Sequence, residues 1–260
     1  MRAKQYIKYL LSIESDSFSL EEIIANTDSE GTSLKFELAR LVEKKELLNL
    51  RKGFYLIIPS RYSKQARLPI QLYVDKLFKS LKRNYYLCHY SAAKFHGASH
   101  QQSQGDYLMT ERPKLNDIKK IDIQFFTATT WPFKNITERK SDAGIFKISS
   151  PALTIADLIH HQKKLGGINR MLAIIEELSE EITNADLMDL LTWYPHRSTL
   201  QRLGFISEGM QTNIDNDLIL EHLKSGPYFP VLLSPNGTEK PGSVDNKWKV
   251  VVNLKLESDL

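Results

Sequence analysis

Residues 32–59 read TSLKFELARLVEKKELLNLRKGFYLIIP, and a change of period inside this stretch decides the fold. Leu34, Leu38, Leu41 and Val42 recur at helical spacing, so they predict a helix from about Thr32 to Lys45 with one apolar face. From Leu47 the period shortens. Leu47–Leu50 and Phe54–Ile58 read as the two arms of a hairpin, with Arg51, Lys52 and Gly53 as its turn. A helical lead followed by such a hairpin is the layout of a winged helix-turn-helix, whose third helix enters the DNA major groove while the wing touches the backbone.

The residues before it supply that lead. Ala3, Ile7, Leu10 and Leu11 place an apolar face on a first helix that ends in the polar run Glu14–Ser17. Ser19 with Glu22 three residues on predicts a capping box at the start of a short second helix carrying Ile23 and Ile24. Asp28–Gly31 is turn chemistry. On the third helix, 100° per residue sets Thr32, Phe36, Arg40 and Glu43 opposite the apolar row, as candidate base-facing positions. Arg51 and Lys52 at the wing tip suit phosphate contacts.

Beyond Pro59 the chain changes character. Pro59–Leu68 is polar and basic and reads as a linker; Pro69 can open a helix bearing Ile70, Tyr73, Val74, Leu77 and Leu81, with Lys76, Lys79, Lys82 and Arg83 opposite. Tyr85–Cys88 reads as a buried strand, Ser91 as the N-cap of a short helix over Ala92–His96, and Gly97 as its left-handed terminator. Asp106–Met109, Ile121–Phe126 and Ile145–Ile148 have strand character. Ser150 and Pro151 start a helix that Gly166 and Gly167 break, and Ile168–Glu181 resumes it. Shorter helices are expected over Ala185–Thr192, Ser198–Leu203 and Asp217–Lys224, and a closing strand over Trp248–Leu256. The expected organisation is a winged-helix domain (1–60), a basic linker and helix (61–84) and a mixed α/β domain (85–260), an α/β (α+β) chain overall.

Composition bounds the function. The chain of 260 residues is 42% hydrophobic and 25% charged, with a formal net charge of +4 and a pI near 8.9, which permits a polyanionic partner without requiring one. The charge is polarised. Between Arg51 and Arg83 nine Lys and Arg residues, Lys64 among them, face Asp75 alone, whereas Ile174–Pro195 holds Glu176, Glu177, Glu180, Glu181, Asp186 and Asp189 with no base. That acidic run reads first as solvated surface, then as a mate for the basic segment, then as a partner site. Cys88 is the only cysteine, which excludes an internal disulfide and a thiolate metal cluster within one chain. The N-terminus lacks a signal-peptide core and no run reaches the roughly 18 apolar residues of a membrane helix; a cytoplasmic protein is expected.

Catalytic signatures are missing. His96 and His100 stand four apart but Gly97 lies between them, and His160 and His161 point to different sides of a helix, so all seven histidines read as polar or boundary residues. There is no glycine-rich phosphate loop and no Gly-x-Ser-x-Gly elbow. The chain is expected not to be an enzyme and to need no cofactor or metal. The alternatives are a nuclease or a hydrolase acting on a nucleotide adduct, and a protein-interaction module using the acidic helix.

Over its whole length the sequence resembles the AbiE-type (AbiEi) abortive-infection antitoxins. Seven stretches carry the resemblance in order: KGFYLI at Lys52–Ile57, YSAAKFHG at Tyr90–Gly97 with Gln101 shortly after, SPALTIADLI at Ser150–Ile159, the pair at Gly166, RLGF at Arg202–Phe205, LLSP at Leu232–Pro235 and WKVVVN at Trp248–Asn253. Phe205-Ile206-Ser207 departs from the tyrosine and leucines common in relatives. The resemblance implies a transcriptional regulator that represses its own type IV toxin–antitoxin operon in phage defence. It binds inverted repeats in double-stranded promoter DNA and counters a nucleotidyltransferase-like toxin without a stable complex. No catalytic residues are implied. The DNA role falls on Thr32, Ser33, Lys35, Phe36, Arg40, Lys44, Arg51, Lys52 and Tyr55.

Overall fold

A computed structural model describes residues 1–28, 31–62, 67–98, 105–236 and 240–257. Lys64, His100 and Gln101 lie outside the described residues. The N-terminal part runs α1 (Ala3–Ser12), β1 (Ser17–Ser19), α2 (Leu20–Asn26), α3 (Gly31–Glu43), β2 (Leu47–Arg51) and β3 (Phe54–Ile57). The capping box forms as expected: Ser19 Oγ accepts from Glu22 N–H at 3.1 Å and the Glu22 carboxylate accepts from Ser19 N–H at 3.4 Å. The three strands make one antiparallel sheet in the order β1-β3-β2. Gly53 closes the hairpin with φ +79°, a left-handed conformation that glycine adopts without a Cβ clash.

Leu34, Leu38 and Leu41 of α3 pack with Ala3, Tyr6, Ile7, Leu10, Phe18, Ile23, Leu47 and Ile57 in one buried cluster. Two expected core residues fall outside it: Leu11 and Ile24 are exposed, and Tyr6 fills the inner face of α1 instead.

The second part is built on a five-stranded mixed sheet. After a 3₁₀ turn at Ile70–Leu72 come α4 (Val74–Leu81), β4 (Tyr85–Leu87), α5 (His89–Phe95), β5 (Asp106–Thr110), β6 (Ile123–Thr127), β7 (Ile136–Ser141) and β8 (Gly144–Ser149). The strand order is β6-β5-β4-β8-β7, with β4 antiparallel to β5, β5 parallel to β6, β4 parallel to β8 and β7 antiparallel to β8. Then follow α6 (Pro151–His160), α7 (Leu172–Glu181), α8 (Asn184–Trp193), α9 (Arg197–Met210), α10 (Asn216–Lys224), β9 (Val231–Leu232) and β10 (Val250–Val251).

Strand alternation feeds two cores at once. Tyr85, Leu87, Leu108 and Phe125 face α4 on one side of the sheet, while Tyr86, Cys88, Met109 and Phe126 face the helical layer on the other. Both faces are therefore covered, and the central strand β4 is apolar and buried at every residue. The helical layer centres on α6, whose residues from Ala152 to Ile159 are all buried.

Several local expectations are corrected. The helix expected from Pro69 starts only at Val74, because Pro69 leads into the 3₁₀ turn. Ser91 lies inside α5 rather than at its N-cap, and its Oγ accepts from Tyr107 N–H at 2.9 Å, tying the helix to β5. The closing strand over Trp248–Leu256 reduces to Val250–Val251, paired parallel with Val231–Leu232. Trp248 is instead a buried plug against Gly204 of α9, with its indole N–H donating to Glu208 at 2.7 Å.

The two parts meet along the hairpin and α4. Leu50, Phe54 and Leu56 share a buried cluster with Leu68, Ile70, Phe78 and Phe125. Lys76 Nζ of α4 donates to Ser15 Oγ at 3.0 Å and Glu22 at 2.8 Å.

Candidate nucleic-acid interface

The burial of one row of α3 fixes what the other row offers. With Leu34, Leu38 and Leu41 turned inward, Thr32, Ser33, Lys35, Phe36, Arg40 and Glu43 lie on the outer side of the helix, and exposed Lys44 follows its last residue. Phe36 stands out at 65% exposure, a large apolar cost to leave in water on a helix that already has a full inner face. Lys35, Arg40 and Lys44 form no ion pair among the described residues. The face thus offers three cations, an aromatic ring and two hydroxyls, with Glu43 as its exposed carboxylate and half-buried Glu37, which accepts from Lys4 N–H at 3.2 Å, at its border.

The hairpin residues divide. Lys52 sits at the turn itself. Arg51 is half-buried and folds back onto the second part of the chain, its guanidinium carbon 5.9 Å from the Phe125 ring centroid. Burial, and secondarily the neighbouring Arg83, push the Arg51 pKa below its usual value. Tyr55 is also half-buried, with its ring stacked on Phe18 at 5.4 Å and 15°; burial pushes its hydroxyl pKa up. The α3 positions and Lys52 are therefore free at the surface, while Arg51 and Tyr55 are committed in part to packing.

The basic face of α4 is largely spent within the chain. Lys76 engages Glu22, Lys79 pairs with Asp75 at 2.7 Å, and the Arg83 guanidinium donates to the carbonyls of Glu111 and Pro113. On the acidic side, Asp189 pairs with Lys134 at 2.5 Å and Asp186 accepts from Asn135 and from Ala152 N–H, whereas Glu176, Glu180 and Glu181 stay exposed.

A second polar cluster, in the interior, had no signal in sequence spacing. His89 follows β4, His160 and His161 end α6, and His196 precedes α9, yet the four imidazoles converge. His89 Nε2 lies 3.1 Å from His161 Nδ1, and the His160 and His196 rings stack at 3.9 Å and 19°. His161 Nδ1 is also 3.2 Å from the Asp157 carbonyl, which can only accept. His161 Nδ1 therefore carries the hydrogen, His89 Nε2 accepts, and His89 Nδ1–H points to Cys88 Sγ at 3.0 Å. Burial, reinforced by the neighbouring rings, lowers His160 to about 4 and His161 to about 3 and holds His89 well below its usual value. Burial raises Asp157 to about 7, against the hydrogen bond that Tyr86 donates to it at 3.0 Å. Among the described residues no group of three or more His, Cys, Asp or Glu side chains is arranged to hold a metal ion. Nor is any helix of the described residues long and apolar enough to cross a membrane.

Comparison with known proteins bears on the second part directly. Residues 85–208 match the family described as the AbiEi antitoxin C-terminal domain. A crystal structure of the RV2827C protein from Mycobacterium tuberculosis has a similar fold, with a TM-score of 0.64 at 13% identity, covering 95% of this chain and 90% of that chain. No curated protein matches the sequence.

Proposed function

We propose, from the premise that residues 85–208 form the C-terminal domain of an AbiEi-type antitoxin, that this antitoxin of a toxin–antitoxin system binds the promoter of its own operon through its N-terminal part. In this reading α1–α3 and the β2–β3 hairpin are a winged helix-turn-helix. Helix α3 enters the major groove, Arg40 and Phe36 reach base edges, and Thr32, Ser33, Lys35, Lys44 and Lys52 contact phosphates or sugars. The chain represses a type IV operon at inverted repeats and counters a nucleotidyltransferase-like toxin without holding it in a stable complex. It carries no catalytic role in this account.

The observation that supports the reading best is the outward face of α3. Its cations lack ion-pair partners among the described residues and its phenylalanine is left in water, while the same helix buries every leucine of its inner row. A solvated helix gains nothing from an exposed Phe; a helix that packs against thymine methyls and sugars does. A mobility-shift titration on the DNA upstream of the gene tests it. Binding tighter than to random duplex is the expected result, and equal affinity for both would overturn the proposal.

A further inference from the structure

Arg51 ends β2 and lines a cavity of about 530 Å³ between the hairpin and the second part of the chain, together with Lys52, Leu81, Asp117, Lys119 and Lys120. Its Nη1 is buried and has no hydrogen-bond partner among the described residues. A guanidinium nitrogen removed from water without an acceptor is costly, and an anion brought beside the group offsets part of that cost through its charge. The surroundings add to that demand. Arg83 is close enough to act on Arg51, and Lys119 and Lys120 are exposed at the cavity wall. The one carboxylate in the lining, Asp117, is already engaged: its Oδ1 accepts from Phe125 N–H at 2.8 Å, and Lys114 pairs with it at 3.4 Å.

Four cations around one ion-paired carboxylate make this open groove suited to an anion such as a phosphate. We propose that the cavity is a phosphate-binding site, built jointly by the hairpin (Arg51, Lys52) and the 3₁₀ turn at Lys119–Ile121, with the Arg51 guanidinium as its fixed charge. The ligand class is a phosphate mono- or diester. A DNA backbone phosphate beside the wing and a free phosphate ester present the same chemistry. The site rests on the cavity itself and stands whether or not α3 reads DNA.

The test uses the full chain and inorganic phosphate as the probe, at constant ionic strength set with chloride. Phosphate raises the melting temperature of the wild type in a saturable way, since a ligand bound to the folded state alone stabilises it by mass action. Lys119→Ala/Lys120→Ala changes two exposed side chains and leaves the phosphate-free melting temperature in place, but weakens the apparent phosphate affinity about tenfold, a ratio read from the titration midpoints. Arg51→Met abolishes the response. Equal melting temperatures in phosphate and chloride for the wild type would overturn the proposal, as would an unchanged midpoint in the double variant. A second arm identifies the source of the phosphate. If DNA supplies it, Lys119→Ala/Lys120→Ala lowers the slope of log affinity against log salt on random duplex by about 0.9, the change for one phosphate no longer neutralised. If a free ester supplies it, that slope stays and only the inorganic phosphate response falls.

Discussion

Replacing His161 by Asn should change how the stability of this protein responds to acid, in a direction that the histidine cluster dictates. His161 is held to about 3 in the folded chain, against roughly 6.5 for an unfolded histidine. Between pH 6.5 and about 4 the unfolded chain thus carries a proton at this residue that the folded chain does not. Stability from this group is fully present above pH 6.5 and is lost as the pH falls, at about 1.4 kcal/mol per pH unit. From pH 6.5 to 4.5 that amounts to about 2.7 kcal/mol, a large share of a typical domain stability.

Asparagine places its amide nitrogen near the position of Nδ1, so donation to His89 and the Asp157 carbonyl can survive, while the titrating ring is gone. His161→Asn should cost about 1 to 2 kcal/mol near pH 7 through weaker packing against Phe126, whose ring centroid lies 4.8 Å from that of His161. The cost should shrink on acidification, and the two stability curves should cross between about pH 5 and 5.8. Asp157 works in the opposite direction, because its raised folded value means that it gives up a proton on unfolding between its usual range and about 7. That contribution is common to both proteins and cancels in the difference. Urea unfolding followed by far-UV circular dichroism at half-unit steps from pH 7 to 4.5 measures the difference directly. Parallel curves for wild type and variant would refute the reasoning, since they would mean that His161 titrates alike folded and unfolded.

Other substitutions test particular contacts. Gly204→Ala would place a Cβ about 2.2 Å from the Trp248 ring, so it should destabilise the fold by about 3 kcal/mol, measured by chemical denaturation. Ser19→Ala removes the oxygen that accepts from Glu22 N–H and should cost about 1 kcal/mol in thermal melts. Tyr86→Phe deletes the hydroxyl that donates to Asp157 and favours its charged form; the Asp157 titration, followed by carboxyl carbon NMR, should move upward from about 7.

Much of this fold was legible because its signals are local. The capping box at Ser19 and Glu22, the N-cap and proline at Ser150 and Pro151, and the left-handed Gly97 each depend on residues a few positions apart. The misses depend on tertiary partners. Strand β7 carries Glu138, Arg139 and Lys140 facing water at the sheet edge, so it has no apolar alternation to read, and its charges protect that edge from further pairing. Strand β1 spans three residues and exists because β3 offers it a partner. Trp248–Leu256 has strand propensity throughout, but only Val250 and Val251 find a neighbouring strand. At the candidate interface the helical period placed Phe36 and Arg40 outward correctly. The burial of Arg51 against Phe125 and the gathering of four histidines join segments far apart in sequence, and spacing carries no trace of either.

The claim that α3 reads base edges while the hairpin holds the backbone is tested most directly by fluorescence-anisotropy titrations of two variants on upstream and random duplexes, across a salt series. Arg40→Ala should lose about 1 to 3 kcal/mol of discrimination between the two duplexes with little change in salt slope. Arg51→Ala/Lys52→Ala should weaken both duplexes alike and flatten the slope. Arg40→Ala binding the upstream duplex with wild-type discrimination would contradict the account.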